Sequence, residues 1–191
     1  IHKRVDISTV SKQLRFDLES IRVHNDEIWI SSEGSVNSDQ PGFIAQLSSR
    51  FEVLNVHYLQ PIFNVQNSRH NGLFEGLSLK DQRLWIVNEL PLQKDGRPPS
   101  LINRFSPVRL TAYDSKTKTI EKSFAVSLSR IKKIPLLPFM VNGVTEILQL
   151  EDTKFLWLER AYSAGHKSNG NKVYLWLVDT EAATDVSSLK S

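Results

Sequence analysis

ESIRVHNDEIWISSE (residues 19–33), EGLSLKDQRLWIVNE (residues 75–89) and EILQLEDTKFLWLER (residues 146–160) align without a gap. Each stretch opens on Glu. Each puts aliphatic residues at its third and fifth positions: Ile21 and Val23, Leu77 and Leu79, Leu148 and Leu150. This alternation has the period of two that a strand imposes on its side chains. A polar break follows, containing Asp26, Asp81 and Asp152, and it is short enough for a hairpin turn. Each stretch then closes on consecutive apolar residues around a tryptophan, Trp29, Trp85 and Trp157. A strand that is apolar on successive residues is covered on both faces. Each repeat is therefore expected to be a β-hairpin whose second strand is buried, with the tryptophans as core.

Working outward, a third strand is expected at 43–47, 108–114 and 173–179, and a fourth at 51–59 and 119–128. In the third unit a fourth strand would begin near Asp185. No segment carries a helical stripe. Repeated units of four antiparallel strands are the plan of a β-propeller. The units begin near residues 17, 73 and 144. They exceed the roughly 40 to 50 residues of common blade repeats, with the surplus in loops. The fold class expected is all-β: about three propeller blades of four antiparallel strands. Propellers close with about four to eight blades. The 191 residues then form one portion of a single larger propeller, residues 1–8 supply the last strand of a preceding blade, and the partner expected is the remainder of the same propeller chain.

Composition narrows the function. The chain has 24 basic and 21 acidic residues, a net charge of +3 and no cysteine. So small a charge, spread along the chain, gives no nucleic-acid footprint. No apolar run is long enough for a membrane span, and no cationic leader precedes an apolar stretch, so no signal peptide is present in this chain. Without cysteine there is no disulfide, thiolate metal site or thiol nucleophile. No G-x-S-x-G, H-E-x-x-H or phosphate-cradling glycine loop occurs.

The stretches DLESIRVHNDEIWISSEG (17–34), NSRHNGLFEGLSLKDQRLWIVNELPLQKDG (67–96), GVTEILQLEDTKFLWLERAY (143–162) and ATDVSSL (183–189) resemble the phytase-like family, which is described by an esterase-like activity of phytase. The resemblance runs from about residue 17 onward and is most specific at FEGL followed by NELPLQKDG. It implies a propeller, export to the periplasm or outside of a bacterial cell, and hydrolysis of phosphate or related esters.

In a propeller the first strand of each blade lines the channel. The repeat thus brings Glu19, Glu75 and Glu146 to the channel mouth, with Glu33, Glu89 and Arg160 on the same rim and Ser32, Asn88 and Glu159 one step inward. Two readings stand for these carboxylates. In one, Glu19, Glu75, Glu146 and Asn88 bind a hard cation such as Ca²⁺, which prefers six to eight oxygen ligands. Glu75, Glu146 and Glu89 then act as ligands or bases, and Arg69, His70 and Arg160 bind the substrate's anionic oxygens. In the other the glutamates are structural, Glu146 pairing with Arg160, and Arg69 or Arg104 serving Glu75 or Glu89. Three functions follow: a metal-dependent ester hydrolase with a small-molecule substrate, a non-catalytic exported propeller binding a protein or glycan, or a lactonase-type propeller. The long connection over residues 90–107 is a candidate flap over the mouth.

Overall fold

A computed structural model describes residues 16–80 and 83–189. The strand expected over residues 1–8, and the turn residue Asp81, lie outside this range. The described chain is all-β, with three antiparallel sheets. The first takes β1 (Leu18–His24), β2 (Glu27–Ser32), β3 (Phe43–Leu47) and β4 (Val53–His57) in that order. The second takes β5 (Phe74–Lys80), β6 (Arg83–Asn88), β7 (Pro107–Asp114) and β8 (Thr119–Ser127). The third takes β9 (Met140–Gln149), β10 (Lys154–Ser163) and β11 (Asn171–Asp179). These are the blade hairpins that the repeat predicts, with the third and fourth strands near their expected bounds. No described helix is long and apolar enough to cross a membrane.

The sheets pack face to face. Between the first and second lie Trp29, Ile44, Phe74, Leu77, Leu84 and Ile86. Between the second and third lie Trp85, Val87, Leu110, Phe124, Phe155 and Trp157. Alternate residues of β6 thus enter different cores, Leu84 and Ile86 one and Trp85 and Val87 the other, which is why that strand is apolar throughout. All three repeat tryptophans are at most 4% exposed, as expected of core. The first strands β1, β5 and β9 pack side by side, with β5 touching both others. Gly76 permits this approach: a Cβ there would lie 2.9 Å from the Ile147 nitrogen and 2.8 Å from Val87. The described sheets do not close into a ring. The outer face of the third leaves Val173, Leu175 and Leu177 exposed.

One strand expectation is overturned. Asp185 does not start a fourth strand beside β11. It forms a bridge with Phe124 on the outer edge of the second sheet. There its carboxylate accepts the N–H groups of Ser123 (3.0 Å) and Ser187 (2.9 Å), and the Val186 N–H donates to the Ser123 carbonyl (2.7 Å). The free edge of β8 supplies the unpaired backbone groups that draw the segment there.

Candidate functional site

The first two hairpins present their glutamates in the same way. The β1–β2 ladder is irregular between Leu18 and Ile21, and the β5–β6 ladder between Phe74 and Gly76. Glu19 and Glu75 sit at these bulges, where a strand can re-aim a side chain away from the sheet. Glu33 and Glu89 follow directly on the ends of β2 and β6. Their N–H groups donate to the carbonyls of Asp17 (3.0 Å) and Leu73 (2.7 Å), fixing the rim. The Glu33 carboxylate crosses to the second sheet and accepts the Leu73 N–H at 2.9 Å.

The consequence is a crowd of carboxylates. Glu33, Glu75 and Glu89 each offer one oxygen, all within 4.8 Å of one another, and Asp17, Glu19 and Glu33 do the same. Glu33 and Glu89 are buried. Burial is the main cause that pushes the Glu75 carboxyl up to about 9, reinforced by the charges of Glu89, Glu19 and Glu33. Burial likewise raises Glu33 to about 7, against the hydrogen bond from Leu73. It raises Glu89 to about 7, helped by the Glu33 charge and opposed by Arg160. Glu19 is raised by burial and by Asp17, while Glu75 and Arg160 act in the opposite direction. Such a cluster holds protons at neutral pH unless a cation compensates it.

These groups line a cavity of about 660 Å³, whose wall also includes His70, Asn71, Leu90, Phe139, Val141, Arg160 and Tyr162. The structure gathers Glu19, Glu33, Glu75, Glu89 and Arg160, which the repeat places at the mouth and its rim, together with His70 from the loop before β5. It adds Asp17 to the acidic cluster. Glu33 was legible, since it closes the first repeat where Glu89 closes the second. Asp17 lies before the repeat and carries no such signal.

Three expected members are employed elsewhere. Glu146 does not reach the cavity. It pairs with Arg22 at 2.8 Å, not with Arg160, and accepts the Leu77 N–H (3.2 Å) and the Ser20 hydroxyl (3.1 Å). The cause is a slip in the third hairpin. Gly76 faces Val87 in the second, and the aligned partner of Val87 is Leu158, which faces Glu146. Thr145, not Glu146, thus takes the bulge position of Glu75. Asn88 is fully buried, its amide donating to the Leu90 carbonyl and its oxygen accepting the Arg109 N–H at 2.8 Å. Both ends are engaged in holding the connection after β6, and Asn88 does not line the cavity. Arg69 donates to the carbonyls of Pro91 and Gly96, each at 2.8 Å, so its fork is already engaged.

The 90–107 connection is pinned rather than free to close as a flap. Leu92 is buried, and Asp95 forms a two-pronged ion pair with Arg109 at 2.6 and 2.7 Å. His166 makes its contact with the Ile134 carbonyl at 2.8 Å, away from the cavity.

No curated protein matches the chain. The acidic mouth, the hairpin repeat and the stacked sheets occur in a sequence whose residues 4–191 match the phytase-like family, described as esterase-like activity of phytase, and the chain belongs to that family.

Proposed function

We propose that this chain forms the acidic mouth of a metal-dependent hydrolase of phosphate or related esters. The single observation that carries the reading is the convergence of one oxygen each from Glu33, Glu75 and Glu89 within 4.8 Å, on the wall of a cavity large enough for a small ester. The donor set is all hard oxygen, which suits Ca²⁺ or Mg²⁺ over thiophilic metals. The raised carboxyls also fit, because burying like charges together without compensation is costly. Glu33, Glu75 and Glu89 would hold the cation, with Glu19 hydrogen-bonded to Glu75 behind them. A divalent ion there would supply Lewis-acid charge that polarises a phosphoryl or carbonyl oxygen.

The chain's own groups divide the remaining work. The Glu75 carboxyl carries a proton at neutral pH when no cation compensates it, and loses it when one enters, since ligands must be deprotonated. Arg160, at the same cavity, orients an anionic ester oxygen through its planar fork. His70 and Asn71 add polar contacts on the loop before β5. Leu90 and Val141 add apolar surface to the cavity lining. In this reading the three sheets are blades of a larger propeller, and the exposed apolar face of the third, with Leu175 65% exposed, favours a further blade against it. Export to a compartment rich in calcium suits a site built of oxygen ligands.

The test is a thermal melt with millimolar Ca²⁺, Mg²⁺, Mn²⁺ and Zn²⁺ beside turnover of an aryl phosphate. Stabilisation by a hard cation, lost in Glu75→Gln together with turnover, is the expected result. No stabilisation by any of the four ions and no turnover would overturn the reading.

A further inference from the structure

The cavity lining comes from two chemically unlike sources. Asp17, Glu19, Glu33, Glu75 and Glu89 come from the first two hairpins. The third sheet and the segment before it contribute Phe139, Val141, Tyr162 and Arg160, with Glu89 lying against Gly143 of β9. Val141 and Tyr162 are direct cross-strand partners, as are Gly143 and Arg160. Residues two apart on a strand share a face, so Tyr162 stands beside Arg160 on the cavity side of β10. Phe139 covers the same region, its ring centroid 6.0 Å from that of Tyr162 at a tilt of 48°. The ring is held in place by the backbone: the Phe139 carbonyl accepts the Ala164 N–H at 2.9 Å, and its own N–H donates to Leu137 at 2.7 Å. Yet Phe139, which lines the cavity, remains 57% exposed.

Resting on the hydrolase reading, we infer that the substrate of this site is a monoester joining one anionic or polar ester group to an apolar, ring-sized group, which lies on Phe139, Tyr162 and Val141 while the ester group faces Arg160. A polyol bearing several phosphates is a poor fit on charge. The cavity offers one guanidinium and one imidazole against five carboxylates, and even with one divalent cation bound, further phosphates would face like charge at close range. A single ester group can be met by Arg160, and the adjoining rings then add apolar contact. A hydrophobic contact of this size separates substrates by about ten- to a hundredfold.

The experiment is calorimetric titration of the full-length protein in millimolar Ca²⁺ with three probes: 1-naphthyl phosphate, glycerol 2-phosphate and inositol hexakisphosphate. Naphthyl phosphate should bind at least about tenfold more tightly than either other probe. Phe139→Ala should reduce that advantage about tenfold at an unchanged melting temperature. Tyr162→Ser should do likewise and covers the case in which one variant folds poorly. Phe105→Ser, exposed on the 90–107 connection and outside the cavity, should change nothing. Equal or tighter binding of either polar probe, no effect in both ring variants, or no binding of any probe overturns the inference. Turnover measured in parallel separates the two readings. Naphthyl phosphate bound but not cleaved removes the hydrolase and leaves the substrate class, whereas cleavage of all three at equal efficiency removes the substrate class and leaves the hydrolase.

Discussion

Arg22 on β1 reaches Glu146 on β9 with an ion pair of 2.8 Å, and between them the same carboxylate accepts the N–H of Leu77 on β5 at 3.2 Å. One glutamate therefore ties together the first strands of all three sheets. The Arg22 guanidinium adds a hydrogen bond to the Ile147 carbonyl at 3.0 Å. Glu146→Ala strips a partner from each of these groups, and leaving a partly buried donor unmatched costs about 1 to 3 kcal/mol. The melting temperature should fall accordingly, by about 2 to 4 °C for each kcal/mol in a chain of this size. Turnover per folded molecule should hold, because Glu146 lies outside the cavity. A loss of turnover with the melting temperature unchanged would return Glu146 to the chemistry.

Stability should decline as pH rises. Glu33, Glu75 and Glu89 have folded pKa values of about 7, 9 and 7 against an ordinary 4.5. Between pH 5 and pH 9 the folded chain thus binds protons that the unfolded chain has released. Stability then falls with rising pH, since the unfolded state binds fewer protons. The contribution is fully present below about 4.5 and is lost as each carboxyl ionises in turn. Glu75→Gln keeps a neutral group at the centre and should flatten the upper part of the curve. Melting temperatures from pH 5 to pH 9 check this, and a wild-type curve that rises over that window would contradict it.

Arg109 and Asp95 form the most enclosed ion pair described, with side chains 5% and 13% exposed. Asp95→Asn leaves the guanidinium buried without its counter-charge, which costs about 3 to 5 kcal/mol. The same change releases the 90–107 connection. Hydrogen exchange at Leu92 to Gly96 should accelerate more than in the sheet core. Uniform acceleration across all three sheets would show that the pair holds the whole fold instead.

Gly143 positions Glu89. A Cβ at residue 143 would lie 2.8 Å from Glu89 Oε1 and would also strike the Glu89 Cγ. Gly143→Ala must push that carboxylate aside, and displacing a ligand's support lowers metal affinity about ten- to a hundredfold. Calcium titration followed by calorimetry should show the loss. Unchanged affinity would place Glu89 outside the ligand set.

The hairpins were legible because the burial of β6 on both faces leaves an unbroken apolar run, while the exposed turns leave polar breaks. The first turn, Asn25–Asp26, shows the match: both residues have positive φ, 48° and 64°, as a two-residue hairpin loop demands. The cavity membership of Glu19, Glu75 and Glu89 followed from the same register. That of Glu146 did not. His24 pairs with Glu27 across two loop residues, whereas the Leu150 N–H bonds the Lys154 carbonyl across three. The added loop residue offsets the whole β9–β10 register by one, so the ladder irregularity shared by all three hairpins falls on Thr145 instead of Glu146. A gap-free alignment records neither change.

The sequence by itself determined the three hairpins, the second strands β2 and β6 buried on both faces, the core tryptophans and the family. These depend on local periodicity, which each hairpin carries in its own residues. β10, by contrast, alternates buried residues with half-buried or exposed ones, because one face of its sheet is open. Only the tertiary structure decided which carboxylates meet. Side chains alternate faces with a period of two, so a slip of one residue turns a glutamate from the mouth to the seam between first strands. Glu146 became a tie between sheets in that way, Thr145 took its place at the bulge, and Glu33 entered the cluster by bonding across to Leu73.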